Sequence, residues 1–278
     1  MSTRGFLQGS FPSIGLRATP VNDSVPKTGI EHHAAPRTYR ISPLVFASAT
    51  RHGIVFLDLK RNRYSGINCS DALILSKHVD DVPRLDTWMS ESGESSDANS
   101  IGSALLDTLL AAGTLTLNPG EKREIVSTQI SLDGALTSIG DEITGRASIG
   151  LWQIVGFLYC LTWSAASLRL LPFRAVIRRV HRRRLAALMT GYSFNASKVA
   201  DLVATFRGIR PFFFLPKDRC LLHALTLTNY LAHHSEYPVL VFGVTTGPWG
   251  AHAWVQHQDF LLDCNPEDVC HLQQILGA

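Results

Sequence analysis

The stretch from Cys220 to Asp263 decides the fold: "CLLHALTLTNYLAHH" (220–234), then "PVLVFGVTTGPWGAHAWVQHQDFLLD" (238–263). In its first segment Leu221, Leu222, Ala224, Leu225, Leu227 and Leu231 have the spacing of a helix buried against a sheet. A cysteine in the first turn of such a helix sits beside unpaired backbone N–H groups and the positive end of the helix dipole. Those groups favour a thiolate and can also receive an oxyanion. "PVLVFGV" (238–244) reads as a buried strand and "TTGPWG" as a turn, while "AHAWVQ" (251–256) alternates so that His252, Trp254 and Gln256 share one face. "FLLD" is a further short strand ending at Asp263. If the hairpin between these last two strands has an even loop centred between His257 and Gln258, His252 and Asp263 stand directly opposite each other. An acid placed there orients the imidazole through its second nitrogen. An odd loop without a bulge puts Asp263 on the other face.

The order Cys220, His252 32 residues later and Asp263 11 further on is the layout of thiol catalysis. In it the Cys attacks, the His takes and returns the proton, and the Asp fixes the tautomer. Each residue alone has a plainer reading: a core thiol, a satisfied strand histidine, a turn aspartate. Cys264 and Cys270 with His257 or His271 match no standard zinc spacing, so no metal is expected.

Upstream, "ASIGLWQIVGFLYCLTWSAASL" (147–168) runs without a charge and precedes "RAVIRRVHRRR", a pattern that a membrane span also shows. Gln153, Gly156, Cys160, Ser164 and Ser167 recur along it at helical spacing, a small or polar stripe expected on a helix packed inside a domain. Membrane association is therefore not expected. The cluster Arg174, Arg178, Arg179, His181, Arg182, Arg183 and Arg184 covers more than one face of the next helix and reads as a solvated surface.

The first half has a different texture. Residues 1–36 have no sustained period and read as a disordered tail. "LVFASA" (44–49), "IVFLDL" (54–59) and "RYSGIN" (63–68), separated by "TRHG" and "KRN", read as a three-stranded antiparallel meander. Asn68 or Ser70 caps a helix over "DALILSKHV", and Ile101, Leu105, Leu106, Leu109 and Leu110 mark a second helix ended by Gly113. The polar, aperiodic stretch 118–150 reads as a linker between a 37–117 domain, expected to fold by itself, and a 151–278 domain.

"RCLLHALTLTNYLAHH…YPVLVFGVTTGPWGAHAWVQHQDFLLD" resembles the lasso-peptide B proteins, transglutaminase-like cysteine peptidases that join a CL-helix, an apolar strand ending in GV, a Pro-containing turn and AHAWVE before a carboxylate. Gln256 stands where that pattern has Glu. The resemblance implies Cys220, His252 and Asp263 as catalytic residues and removal of the leader from a ribosomally made lasso precursor peptide as the task. "YRISPLVFASATRHGIVFLDLKRNRYSGINCSDALIL" is similar to the winged-helix-like RiPP recognition element, in which a leader adds as a strand and packs on the last helix. That likeness implies leader-binding residues Arg63, Tyr64, Ser65, Gly66 and Ile67, with Leu105, Leu106 and Leu109 opposite. The implied fold class is α+β, a recognition domain followed by a transglutaminase- or papain-like peptidase domain. The implied partner is an asparagine-synthetase-like lasso cyclase. No cofactor is expected to be bound, and ATP dependence is a trait the resemblance alone brings.

Composition limits the alternatives. The formal charge of +3, from 26 Lys and Arg against 23 Asp and Glu, gives no global field for nucleic acid. "SSDANSIGSALLDTLLAAG" contains no Lys or Arg to contact phosphate, which opposes a DNA-binding winged helix. Five cysteines form no disulfide framework, which suits a reducing, cytoplasmic setting. Two other functions use the same residues: a catalytically silent scaffold that presents precursor to another enzyme, and an acyltransferase built on Cys220.

Overall fold

Two apolar faces on one short strand organise the first half of the molecule. The protein is described by a computed structural model covering residues 38–83, 98–118, 122–130, 136–139, 149–213 and 219–278, so the 1–36 tail lies outside the described residues. After β1 (Arg40–Ile41) come β2 (Val45–Thr50), β3 (Gly53–Asp58) and β4 (Arg63–Ile67), an antiparallel sheet in the order β2-β3-β4 that follows the expected meander to within a residue or two. Gly53 has φ +132°, and a Cβ there would run into the carbonyl of Ile67, so only glycine fits this turn. At the other end Asp58 accepts from the amides of Lys60 and Arg61 at 2.8 and 3.0 Å, which turns the chain from β3 into β4.

Side chains alternate across β3, and both of its faces are covered. Ile54 and Phe56 pack with Leu75 of α1 (Cys69–His78) and with Leu105, Leu106 and Leu109 of α2 (Ala98–Ala111). Asn68 caps α1 by accepting from the Asp71 amide at 2.8 Å, and Gly113, at φ +69°, follows α2 on the way to β5 (Leu115–Thr116), which pairs with β1. Val55 and Leu57 face the other way, with Phe46 and Leu59, into a core that also holds Leu225, Phe242, Val244 and Ala253 of the second half. The first half therefore has no water-facing back to its sheet. One face of the 37–117 sheet thus shares its core with the 151–278 half.

The stretch read as a linker is also built in where it is described. Ile125 is fully buried in the shared core, Thr128 bonds through its amide to the carbonyl of Gly277 at 2.9 Å, and the Ile130 amide donates to Gln274 at 2.9 Å. Further on, β6 (Thr137–Ser138) pairs in parallel with β9 (Phe260–Leu261).

The second half packs three helices and a mixed sheet around one buried helix. They are α3 (Leu151–Leu170), α4 (Phe173–Met189), which Pro172 separates from α3, and α5 (Ala196–Ile209), capped by Asn195. A 3-10 turn at Arg210–Phe212 follows. Then α6 (Cys220–His233) lies buried from His223 to Leu231, and β7 (Val239–Thr246) and β8 (Trp249–His257) form a long hairpin. The short α7 (Pro266–Val269) and β10 (Gln273–Gly277) complete the chain, with strand order β10-β7-β8-β9-β6. Ala251, Ala253 and Val255 belong to the core formed with α6, whereas Trp254 packs on the opposite side with Val269 and Leu272.

On α3 the small stripe is the packed face: Cys160, Ser164 and Ser167 are buried with Phe157, and Ser164 accepts from Asn229 of α6 at 2.9 Å. The expectation of a helix packed inside the domain holds for that face alone, because Leu151, Trp152, Val155 and Tyr159 are exposed. Nor is the arginine cluster uniformly solvated. His181 is buried, Arg183 donates to Asn229 at 2.6 Å, Arg184 to Thr128 at 3.1 Å and Arg178 to Glu124 at 3.0 Å.

Candidate active site

Cys220 is the first residue of α6, and no side chain caps that terminus. The backbone N–H groups nearest its sulfur are those of Ala253 of β8, Leu221 and Cys220 itself. These donors favour the thiolate, but burial outweighs them and raises the thiol above its usual range. A cleft of 670 Å³ opens here, and Cys220, His223, His252, Asp263, Arg207 and Arg210 all line it. Folding thus brings the three residues proposed from spacing into one cavity.

The pairing among them differs from expectation. β8 and β9 are in register with Gln256 opposite Leu261 and His257 opposite Phe260, and the loop is Gln258–Asp259, with Gln258 at φ +50°. The hairpin turns one residue later than the symmetric pairing requires, so Asp263 falls beyond the end of β9 and is not cross-strand from His252. One carboxylate oxygen accepts from the Val255 amide at 3.0 Å, and the other lies 3.6 Å from Nδ1 of His223. Charges act on His252 from Asp268, which raises it, and His271, which lowers it, but burial dominates and keeps the imidazole below its usual range.

His223 was not singled out from sequence, although its position three residues after Cys220 puts both on one side of α6. Its Nε2 lies 3.3 Å from Nη1 of Arg210. A guanidinium only donates, so Nε2 accepts and the ring proton sits on Nδ1, facing Asp263. Burial, aided by Arg210, lowers His223 to about 3, so the ring is neutral. Burial also raises Asp263 to about 7, against the opposing pull of the Val255 amide and Arg207. The buried pair therefore avoids a full charge separation.

Gln256 is fully buried. Its amide oxygen accepts from the Trp254 indole at 2.8 Å and its nitrogen donates to the Gln258 carbonyl at 2.7 Å. A carboxylate could make only the first of these bonds, so glutamine is the residue this hairpin uses.

The first half packs beside the start of β8, near Cys220. Tyr64 of β4 meets the Trp249 ring edge-on at 5.6 Å, and its phenol is raised by burial and by the nearby Cys220. His52 bonds Thr246 at 2.9 Å across the same seam. Among the described residues β4 pairs only with β3, which leaves its other edge open; Arg63 is exposed and Tyr64, Ser65 and Gly66 are half-buried. The remaining residues expected to bind leader are not available at the surface. Ile67, Leu105, Leu106 and Leu109 are core residues packed with Ile54 and Phe56, so they hold α2 onto the sheet and do not line a groove.

Residues 160–276 match the transglutaminase-like superfamily. They form a transglutaminase-like domain. No curated protein and no solved structure gives a match to the chain. The transglutaminase-like domain takes in α6, β7, β8 and β9, with Cys220, His252 and Asp263 inside it, and is consistent with cysteine peptidase or acyltransferase-like activity. Among the described residues no group of His, Cys, Asp and Glu side chains could hold a metal ion, and all five cysteines are free thiols.

Proposed function

We propose that the protein is a cytoplasmic thiol peptidase that removes the leader from a lasso precursor peptide and passes the core to an asparagine-synthetase-like cyclase. The observation that carries this reading is the placement of Cys220 at the uncapped N-terminus of a buried helix, against a strand amide, in a cleft shared with His252 and Asp263. Cys220 attacks the carbonyl at the leader–core junction while neutral His252 takes the thiol proton. The helix-terminal amides receive the oxyanion. His252 then protonates the departing amine of the core, and water drawn to the thioester frees the leader. Asp263 acts through the Val255 amide and His223, fixing the first turn of α6 against β8.

The open edge of β4 supports leader capture by strand addition, with Arg63 to Ile67 as the accepting strand of a winged-helix-like recognition element. Tyr64 lies against the start of β8, so a peptide on that edge is delivered to the cleft. Incubating the cognate precursor with the protein and reading the products by mass spectrometry tests the proposal. Wild type should release free leader and intact core; Cys220→Ala should bind precursor but lose cleavage by at least about a thousandfold. Cleavage by Cys220→Ala near the wild-type rate overturns the thiol mechanism. Leader recovered joined to an added amine would instead identify an acyltransferase.

A further inference from the structure

Helix α3 carries an apolar face that nothing in the described molecule covers. Trp152 is 84 % exposed, Leu151 73 % and Tyr159 61 %, with Val155 between them on the same side of the helix. The helix is also long and apolar enough to cross a membrane. Its opposite face fixes it in place, since Phe157, Cys160 and Ser164 are buried and Ser164 bonds to Asn229. A helix held along one side cannot leave the domain to span a bilayer, but it can lie on one.

The charge beside it points the same way. Arg179 of α4 lies over the Trp163 ring of α3 at 4.6 Å, so the basic ridge of α4 adjoins the α3 face. Arg174 and Arg182 are exposed along that ridge. Residues 149–200 contain eight Arg and Lys and no Asp or Glu, whereas the whole chain is nearly balanced at 26 against 23. Exposed aromatic and aliphatic side chains flanked by arginines and free of acids are the composition of an interfacial helix on an anionic lipid surface. A second copy of the chain fits poorly, because a symmetric contact through this patch sets basic ridge near basic ridge. Residues 1–37 do not complement it either, with four Arg and Lys against two acids.

We propose that the α3–α4 face docks on anionic membrane, with Trp152, Leu151 and Tyr159 entering the headgroup region and Arg174, Arg179 and Arg182 facing lipid phosphates. The inference is independent of the peptidase reading and its test involves no catalysis. The full chain is sedimented with vesicles of phosphatidylcholine alone and of phosphatidylcholine mixed with phosphatidylglycerol, at low and high sodium chloride. Binding is expected only to the mixed vesicles and should weaken with salt. Arg174→Gln with Arg182→Gln should weaken it about thirtyfold, at about a factor of five for each charge removed. Trp152→Ser should abolish the blue shift of tryptophan fluorescence that accompanies binding. Both sites are exposed, so melting temperatures should match wild type, which separates a lost surface from a lost fold. Equal binding to both vesicle types, no binding to either, or variants that bind as wild type overturn the proposal. A dimer broken by Trp152→Ser, without vesicle binding, would also overturn it and assign the face to self-association.

Discussion

Asp263 and His223 bury two titratable groups side by side, and each leaves its own mark on stability. Between the ordinary carboxyl value of 3.8 and about 7, the folded chain keeps a proton on Asp263 that the unfolded chain has released. The contribution of Asp263 to stability therefore falls as pH rises through that window and is gone above it. His223 acts in the opposite sense. Between about 3 and 6.5 the unfolded chain binds a proton that the folded chain refuses, so its contribution grows with pH. In the wild type the two trends offset each other over most of the range. Asp263→Asn removes only the first, so the melting temperature of the variant, measured relative to wild type, should climb as pH is raised from about 4 toward 7. A difference that stays flat with pH would mean that Asp263 is ionised in the fold throughout.

The β8–β9 hairpin shows how one element sets the chemistry around it. Gln256 uses both ends of its amide, one on Trp254 and one on the carbonyl of the loop residue Gln258. Gln256→Glu keeps the shape but places an acceptor against an acceptor and buries a charge, which should cost about 3 kcal/mol in denaturant unfolding at neutral pH and less in acid. A cost under about 0.5 kcal/mol would show that the loop rearranges freely. Much of this region was legible beforehand. The period of "CLLHALTLTNYLAHH" gave a buried helix beginning at Cys220, and the alternation in "AHAWVQ" gave a strand that carries His252. The same spacing put Cys220, His252 and Asp263 forward together, and all three line one cleft. Turn position was not legible, because Gln258 adopts a left-handed conformation that its residue type does not announce, and a one-residue displacement of the loop was enough to move Asp263 from His252 to His223. The burial of Leu105, Leu106 and Leu109 was legible as periodicity, but periodicity alone does not distinguish a core face from a ligand-binding face.

At the scale of the whole molecule, the sheet β2-β3-β4 lies between two cores. One, under α1 and α2, closes within the first half; the other, holding Phe46, Val55 and Leu57, closes against Ile125, Ile139 and the transglutaminase-like domain. A fragment ending at Asn118 exposes that second face to water and should be poorly folded or aggregated by circular dichroism and amide chemical-shift dispersion. A monomeric, well-dispersed fragment would show that the first core suffices. Composition could not reveal this, since a strand buried on both faces has the same apolar run whether its second partner lies in the same half or far along the chain. The shared core also limits how such a chain can be recombined. Exchanging residues 38–118 for the equivalent piece of another protein transplants half of an interior, so a working hybrid must inherit side chains that fit Phe242 and Val244 as well as any specificity for a new peptide. If a leader adds to β4 as proposed, its range should drift by single changes along the outer edge of that strand, where Arg63 faces water, more readily than by wholesale swapping of the front half.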